Sequence, residues 1–412
     1  MTNPAQTTLS MVDPAARPLA QAFAAFDPAR QGITQYRAGL AQLFPADTQE
    51  TDTPNEERMI AGGPDDKQLR LLIHRPQQAV AQPLPAILFL HASGFISGTP
   101  DIFSKANQAM AQQHQALVLS VQYRLAPESP FPAPLDDAYA ALAWLFGQAQ
   151  ELGIDPARII VMGESAGGGL AAMLALLARD RGEYPLAGQV LIYPMLDPRT
   201  GGVDAPVQNP TAGEFVWTAS HNQFAWSALR GETVDEAWQP YFAPALVPDL
   251  AGLPPTFIAV GALDLFLEED VAYALRLSRA GVALETHVYP GAIHGFDFVD
   301  SAVATQYRAD LAAALDRLLA AARSGLGRGL AQNTAAMLRR PFHPARPTRQ
   351  TGCGWPSRRI HRWSGSVLAR RCRLSWDRAS GKLVFGQPAD IGHGRAPAAR
   401  ASPPGRRPRS RP

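Results

Sequence analysis

Three side chains in this sequence have the types and order needed for acyl transfer through a serine. Ser165 stands in Gly163-Glu164-Ser165-Ala166-Gly167, directly after an apolar run, Ile159–Met162, and before a helical run, Leu170 to Ala178. The two glycines permit a sharp strand-to-helix turn that holds a serine hydroxyl out of the backbone. The helix that follows turns its N-terminus toward developing negative charge.

A serine hydroxyl is a weak nucleophile until a base takes its proton. Of nine histidines, His294 has the most suitable setting, in Tyr289-Pro290-Gly291-Ala292-Ile293-His294-Gly295-Phe296, just after the last apolar run. Asp264 follows Phe257–Val260 through Gly261-Ala262-Leu263 and is the carboxylate expected to orient the imidazole. Glu268, Glu269 and Asp270 compete for that role, but they read as the first turn of a helix, where acids favour the dipole. The order Ser, Asp, His along the chain belongs to one large class of serine hydrolases. An oxyanion needs backbone donors. The amide of Ala166 is one, and the loop His91-Ala92-Ser93-Gly94-Phe95, after the run Ala86–Leu90, supplies others.

The elements that position these residues alternate. Short apolar runs at Leu71–His74, Ala86–Leu90, Ala116–Val121, Ile159–Met162, Gln189–Tyr193, Phe257–Val260 and Thr286–Tyr289 read as strands. Amphipathic stretches separate them, such as Leu135–Phe146 with Leu135, Ala138, Leu142 and Leu145 on one face, and the last helix runs from about Val303 to Ala322. Continuous apolar strands separated by helices predict an α/β fold with a doubly wound, mostly parallel sheet covered on both faces. In such a sheet, residues just past the strand C-termini gather at one edge.

Two regions break the alternation. Residues 1–60 carry helical patterns at about Pro18–Phe26 and Ile33–Phe44, followed by a polar, acidic stretch from Asp47 to Glu57. Residues about 197–250 are rich in Pro, Gly and aromatic side chains and are too long for a simple loop. Both are expected to form a cap on a catalytic domain of residues 61–324. Phe95, Phe215, Trp217, Phe224 and Phe296 are expected to wall the substrate pocket.

The whole chain has 38 basic and 36 acidic residues, but residues 325–412 hold 18 Arg and Lys382 against only Asp377 and Asp390. That basic low-complexity tail is expected to be disordered. An unselected extension explains it more simply than a nucleic-acid partner, so no nucleic acid is required. Cys353 and Cys372 both lie in the tail, so the body cannot be disulfide-stapled. No apolar run approaches a membrane span, and the first residues have no signal-peptide pattern, so the cytoplasm is the expected compartment.

Several linked stretches resemble the hormone-sensitive-lipase-like family of α/β hydrolases, the microbial carboxylesterases, over roughly residues 15–322. His91–Phe95 stands where that family has H-G-G-G-F/W. Tyr123-Arg124-Leu125-Ala126-Pro127-Glu128, with Phe131-Pro132 and Leu135-Asp136-Asp137, is similar to its characteristic segment. Gly163–Gly168, Ile192-Tyr193-Pro194, Asp264 through Glu269 and His294-Gly295-Phe296 complete the set. The resemblance implies an eight-stranded sheet, a helical cap, and hydrolysis of short-chain carboxylic esters, small-molecule substrates, with no cofactor and no metal. It also implies Ser165, Asp264 and His294 as the triad, the amides of Ser93, Gly94 and Ala166 as the oxyanion hole, and His91 as a brace for that loop. A homodimer is one admissible assembly. A deacetylase or amidase on the same fold, or an inactive ligand-binding relative, are the other readings. Ala92 and Ser93 replace two glycines of the family's loop. If the loop needs φ > 0 there, a Cβ costs on the order of 1–2 kcal/mol. If the Ser93 amide is the donor, its side chain is incidental or obstructive; the alternative is that the Ser93 hydroxyl itself donates to the oxyanion or anchors the loop.

Overall fold

In a computed structural model the described residues are 8–44, 55–63, 67–78 and 83–321, with two short strands beyond. Eight strands form one sheet: β1 (Asn55–Gly62), β2 (Lys67–His74), β3 (Leu84–Leu90), β4 (Leu117–Val121), β5 (Ile154–Glu164), β6 (Gly188–Ile192), β7 (Thr256–Gly261) and β8 (Leu284–Tyr289). Their order is β1-β2-β4-β3-β5-β6-β7-β8. The pairs β1/β2 and β2/β4 are antiparallel and all later pairs are parallel.

The helices are α1 (Arg17–Phe23), α2 (Pro28–Gln31), α3 (Ile33–Leu43), α4 (Ser104–His114), α5 (Ala133–Gly147), α6 (Ala149–Leu152), α7 (Ala166–Arg181), α8 (Ala219–Arg230), α9 (Gln239–Phe242), α10 (Leu267–Arg279) and α11 (Ala302–Ala321). Strand periodicity divides the interior into two cores. Ala86, Leu88 and Leu90 of β3, with Ile159 and Val161 of β5, face one core that includes Leu135 and Leu142 of α5 and Leu170 and Leu174 of α7. Ile87, Phe89, Ile160 and Met162 face the other, with Ala111 of α4 and Tyr307 and Leu315 of α11. Every residue of β3 is buried, as a central strand covered on both faces requires.

The seven sequence-predicted strands all exist, most of them a few residues longer. β1 is an addition, within and just beyond a stretch that reads as polar. It pairs with β2 from Asn55↔His74 to Gly62↔Lys67, so the sheet begins before residue 61. Its charged side chains are tied to β2 through Arg70 Nε–Glu57 at 2.9 Å and Arg75 Nε–Glu56 at 3.6 Å. A charged edge of this kind also discourages pairing with other chains.

Between β6 and β7 the described chain has no strand and carries α8 and α9. α8 meets the N-terminal helices: the Ser220 hydroxyl donates to Asp27, and Tyr36 packs edge-on against His221. A third cluster joins Val12, Ala16, Ala20 and Phe23 to Val216, Leu263 and Ile293, immediately before Asp264 and His294. Apart from eight residues, the stretch 325–412, for which disorder is expected, lies outside the described residues. Within that stretch, Leu374–Asp377 and Lys382–Phe385 form a separate antiparallel pair.

Candidate active site

Ser165 is the hinge between β5 and α7, with φ 56 and ψ −120, a sparsely populated positive-φ backbone that costs an L-residue on the order of 1–3 kcal/mol. Its neighbours hold it there. The Ser165 N–H donates to Ile192 O at 2.9 Å, and its carbonyl accepts from Gly169 N–H at 2.9 Å and Met195 N–H at 3.0 Å. The flanking glycines are required by close approach. A Cβ on Gly163 would lie 2.1 Å from Gly167 O, and one on Gly167 would lie 2.1 Å from Leu90 O.

Asp264 and His294 leave the ends of β7 and β8 on two loops that are bonded together. Ala262 N–H donates to Tyr289 O at 2.8 Å and Leu263 N–H to Ala292 O at 2.9 Å. The structure brings all three side chains into one line. Ser165 Oγ is 2.9 Å from His294 Nε2, and His294 Nδ1 is 2.8 Å from Asp264 Oδ2. The other carboxylate oxygen accepts from Phe266 N–H at 3.0 Å. Asp264 is fully buried, and the carboxylate can only accept, so His294 carries its proton on Nδ1 and presents a lone pair to the serine. Phe266 packs edge-on to the imidazole at 5.3 Å and Tyr193 at 4.7 Å.

Two of the competing acids are engaged elsewhere. Glu269 accepts from Leu196 N–H at 2.7 Å and from the Thr200 hydroxyl, and Glu268 accepts from Asn209 Nδ2 at 2.9 Å. Burial raises the pKa of Glu269 and of Asp270 well above the usual carboxylate range. Glu164, beside the nucleophile, is raised by burial and by nearby Asp297.

The loop after β3 carries its left-handed residues at Gly94 (φ 57) and Phe95 (φ 62), not at Ala92 or Ser93. The strain considered for the two replaced glycines therefore does not arise. Among the described residues, the amides of Ser93, Gly94 and Ala166 donate to no protein acceptor. His91 is buried, its Nδ1 is 3.1 Å from Ala92 O, and its ring stacks on Tyr123 at 4.4 Å. Burial pulls its pKa down to about 4, so it stays neutral at working pH. The Ser93 side chain is not incidental. Its Oγ accepts from Phe95 N–H at 2.8 Å and lies 2.7 Å from the Tyr123 hydroxyl oxygen.

A cavity of about 750 Å³ opens over Ser165 and His294. Of the five aromatics expected to wall it, only Trp217 does. Phe95 turns into the core against Trp226, and Phe296 packs on Tyr289 and Tyr307. Phe224 packs against the larger core and Phe215 against the cap cluster. The wall comes instead from Leu19, Phe23, Leu40 and Phe44 of the N-terminal segment, together with Phe103 and Phe298. These phenylalanines touch in series: Phe23–Phe44 at 5.8 Å, Phe44–Phe298 at 5.3 Å and Phe298–Phe103 at 5.8 Å. No helix among the described residues is long and apolar enough to cross a membrane.

Residues 87–298 match the model of a family described as having the α/β-hydrolase fold. The chain is 35% identical over 292 residues to carboxylesterase NlhH of Mycobacterium tuberculosis, covering 69% of this chain and 88% of the relative. It is 34% identical over 229 residues to an ethyl acetate hydrolase of Pseudomonas putida, covering 55% and 70% respectively. Among solved structures it is similar to a bacterial heroin esterase at 35% identity and a TM-score of 0.68, over 76% of this chain and 99% of that one. Esterase LipW of Mycobacterium marinum gives 30% identity and a TM-score of 0.63, over 76% and 98%. With that sheet, that strand–serine–helix turn and these relatives, the chain belongs to the hormone-sensitive-lipase-like family of α/β hydrolases and is a carboxylic ester hydrolase.

Proposed function

We propose that the chain hydrolyses short-chain acyl esters by two-step acyl transfer, with Ser165 as nucleophile, His294 as base and acid, and Asp264 as its orienting carboxylate. His294 Nε2 takes the Ser165 proton as Oγ attacks the ester carbonyl carbon. The negative charge that forms on the carbonyl oxygen is met by the amides of Ser93, Gly94 and Ala166 and by the N-terminus of α7. When the intermediate collapses, the C–O bond to the alcohol breaks and His294 returns its proton to the leaving alkoxide. A water then loses its proton to His294 and attacks the acyl carbon. Collapse frees the acid and gives the proton back to Ser165. Asp264 stays ionised throughout and stabilises the imidazolium.

The observation that carries this reading is the continuous line from Ser165 Oγ to His294 at 2.9 Å and on to Asp264 at 2.8 Å, at the floor of an apolar cavity. Unengaged backbone amides beside it are what an oxyanion requires. His91, neutral and stacked, supports the loop rather than reacting. We assign α1–α3 and residues 197–250 to the cap, because their side chains close the cavity over the nucleophile.

A p-nitrophenyl acyl series from acetate to longer chains, run beside Ser165→Ala, tests this. The wild-type chain is expected to prefer the shortest chains. Ser165→Ala is expected to stay folded and lose kcat by about 10⁴ or more, since a member of a unit acting together is removed. Residual activity within about tenfold of wild type would place the nucleophile elsewhere.

A further inference from the structure

The loop that carries two of the oxyanion amides is closed by side chains. The Tyr123 oxygen lies 2.6 Å from the His91 carbonyl and 2.7 Å from Ser93 Oγ, and Ser93 Oγ accepts from Phe95 N–H at 2.8 Å. The phenol has one hydrogen, and a carbonyl can only accept. That hydrogen therefore goes to His91, and the Ser93 hydroxyl hydrogen goes to the phenol oxygen. The result is one directed chain: Phe95 N–H to Ser93 Oγ, Ser93 O–H to Tyr123, Tyr123 O–H to His91 C=O. It begins and ends on the loop, and the amides of Ser93 and Gly94 lie between its ends. Hydrogen bonds in such a series strengthen one another in a buried setting.

Tyr123 is a suitable anchor. It is buried, its ring lies on His91 at an interplanar angle of 14°, and burial raises its pKa, so it keeps its proton at working pH. Ser93 supplies the link that glycine, the residue this family's loop resembles at that position, has no atom to make. The Ser93 carbonyl is also engaged, by Ser97 N–H at 2.9 Å and the Ser97 hydroxyl at 3.0 Å, which fixes the peptide on its far side.

We propose that Ser93 and Tyr123 are positioning residues of the oxyanion site, acting through this hydrogen-bonded circuit to aim the Ser93 and Gly94 amides. The circuit's hydrogen-bonding atoms are engaged with one another and with the loop backbone, so its loss is expected to change the binding of the oxyanion more than that of the ground-state ester. The proposal rests on the serine-hydrolase reading above.

The test compares Tyr123→Phe, Ser93→Ala, Ser93→Gly and Tyr123→Phe/Ser93→Ala with the wild-type chain. It reads kcat and KM on p-nitrophenyl acetate, and affinity for a phenyl trifluoromethyl ketone, whose serine adduct places an oxyanion in the same site. Each single change is expected to lower kcat by about ten- to a hundredfold, up to the scale of losing one donor, and to shift KM by less than about threefold. Affinity for the ketone should fall with kcat, and the double variant should be no worse than the poorer single one. Tyr123→Phe and Ser93→Gly carry the same expectation if Ser93→Ala does not fold. The proposal is overturned if kcat stays within about threefold of wild type, if the loss falls on KM while the ketone binds as before, or if the two losses multiply. Failure of the underlying reading looks different: the wild-type chain then turns over no ester, or Ser165→Ala retains the activity.

Discussion

Gly94→Ala asks whether the Gly94 amide is an oxyanion donor, and the structure sets the size of the answer. Gly94 has φ 57, where an alanine costs on the order of 1–2 kcal/mol, a factor of about 5–30 in rate if the active loop must keep that conformation. The larger obstacle is steric. A Cβ built there lies 2.2 Å from Cη2 and 2.8 Å from Cζ3 of Trp217. That indole is not free to swing away. Its Nε1–H donates to Asn222 Oδ1 at 3.3 Å, its ring packs on His221 at 5.4 Å, and it is buried. The loop therefore yields, and the amide leaves the position it held.

Removal of one preorganised donor costs about 10²–10³ in kcat, so Gly94→Ala is expected to lose about 10² or more, with KM for a small ester little changed. Trp217→Leu clears the space. In the background of Trp217→Leu, adding Gly94→Ala should then cost only the backbone term, about 5–30-fold. Steady-state kinetics on p-nitrophenyl acetate, with active sites counted by an acylating titrant, separates fewer working enzymes from slower ones. If Gly94→Ala keeps kcat within about threefold, the donor assignment at Gly94 fails; if it costs as much with Leu at 217 as with Trp, the steric argument through Trp217 fails.

Two other perturbations read the site and its frame. Asp264→Asn keeps the shape and the bond from Phe266 N–H but can offer an N–H to His294 Nδ1, which favours the wrong tautomer, so kcat should fall by about 10⁴ with an unchanged melting temperature. His74 on β2 is buried with both ring nitrogens unpartnered among the described residues, and burial lowers its pKa from 6.5 to about 4. The unfolded chain then binds the proton more readily than the folded one, so stability falls as pH drops from 6.5 toward 4. Denaturant titration of His74→Leu should show a gain over wild type that grows by up to about 3 kcal/mol across that interval, and a gain independent of pH would refute the argument.

The chemical centre was legible in the sequence because each of its residues sits where a strand ends. An apolar run, a glycine-flanked serine and a helical run leave few alternatives for residues 159–178, and Asp264 follows a buried strand and His294 the last strand, each within a few positions. β1 was not legible. Asn55–Gly62 is an edge strand with almost no buried side chain, held by its ladder to β2 and by ion pairs, so it lacks the apolar alternation that marks a strand. The cavity wall was hidden for another reason. Closeness in sequence to the serine or the histidine does not fix where a ring points. Phe95, with φ 62, turns its ring inward, while Phe23 and Phe44 reach the site from the other end of the chain.

The segment Tyr123–Glu128 reads in the sequence as a marker without a task, and the structure gives its parts one shared task. Tyr123 closes the hydrogen-bonded circuit of the loop after β3. Arg124 anchors the segment to α5, where its Nε donates to Asp137 at 2.9 Å. Ala126 N–H donates to Phe95 O at 2.9 Å, so the segment runs along the same loop. Glu128 accepts the two-pronged contact of Arg37, a residue of α3, whose Nε donates to Ile96 O at 2.6 Å and whose Nη2 donates to Ala126 O at 3.0 Å. The loop is thus bound at its start by the side chain of Tyr123 and at its exit by Arg37 of α3. α3 therefore contacts the exit of that loop directly, whereas Ser165 is held by β6 and by the residues after it.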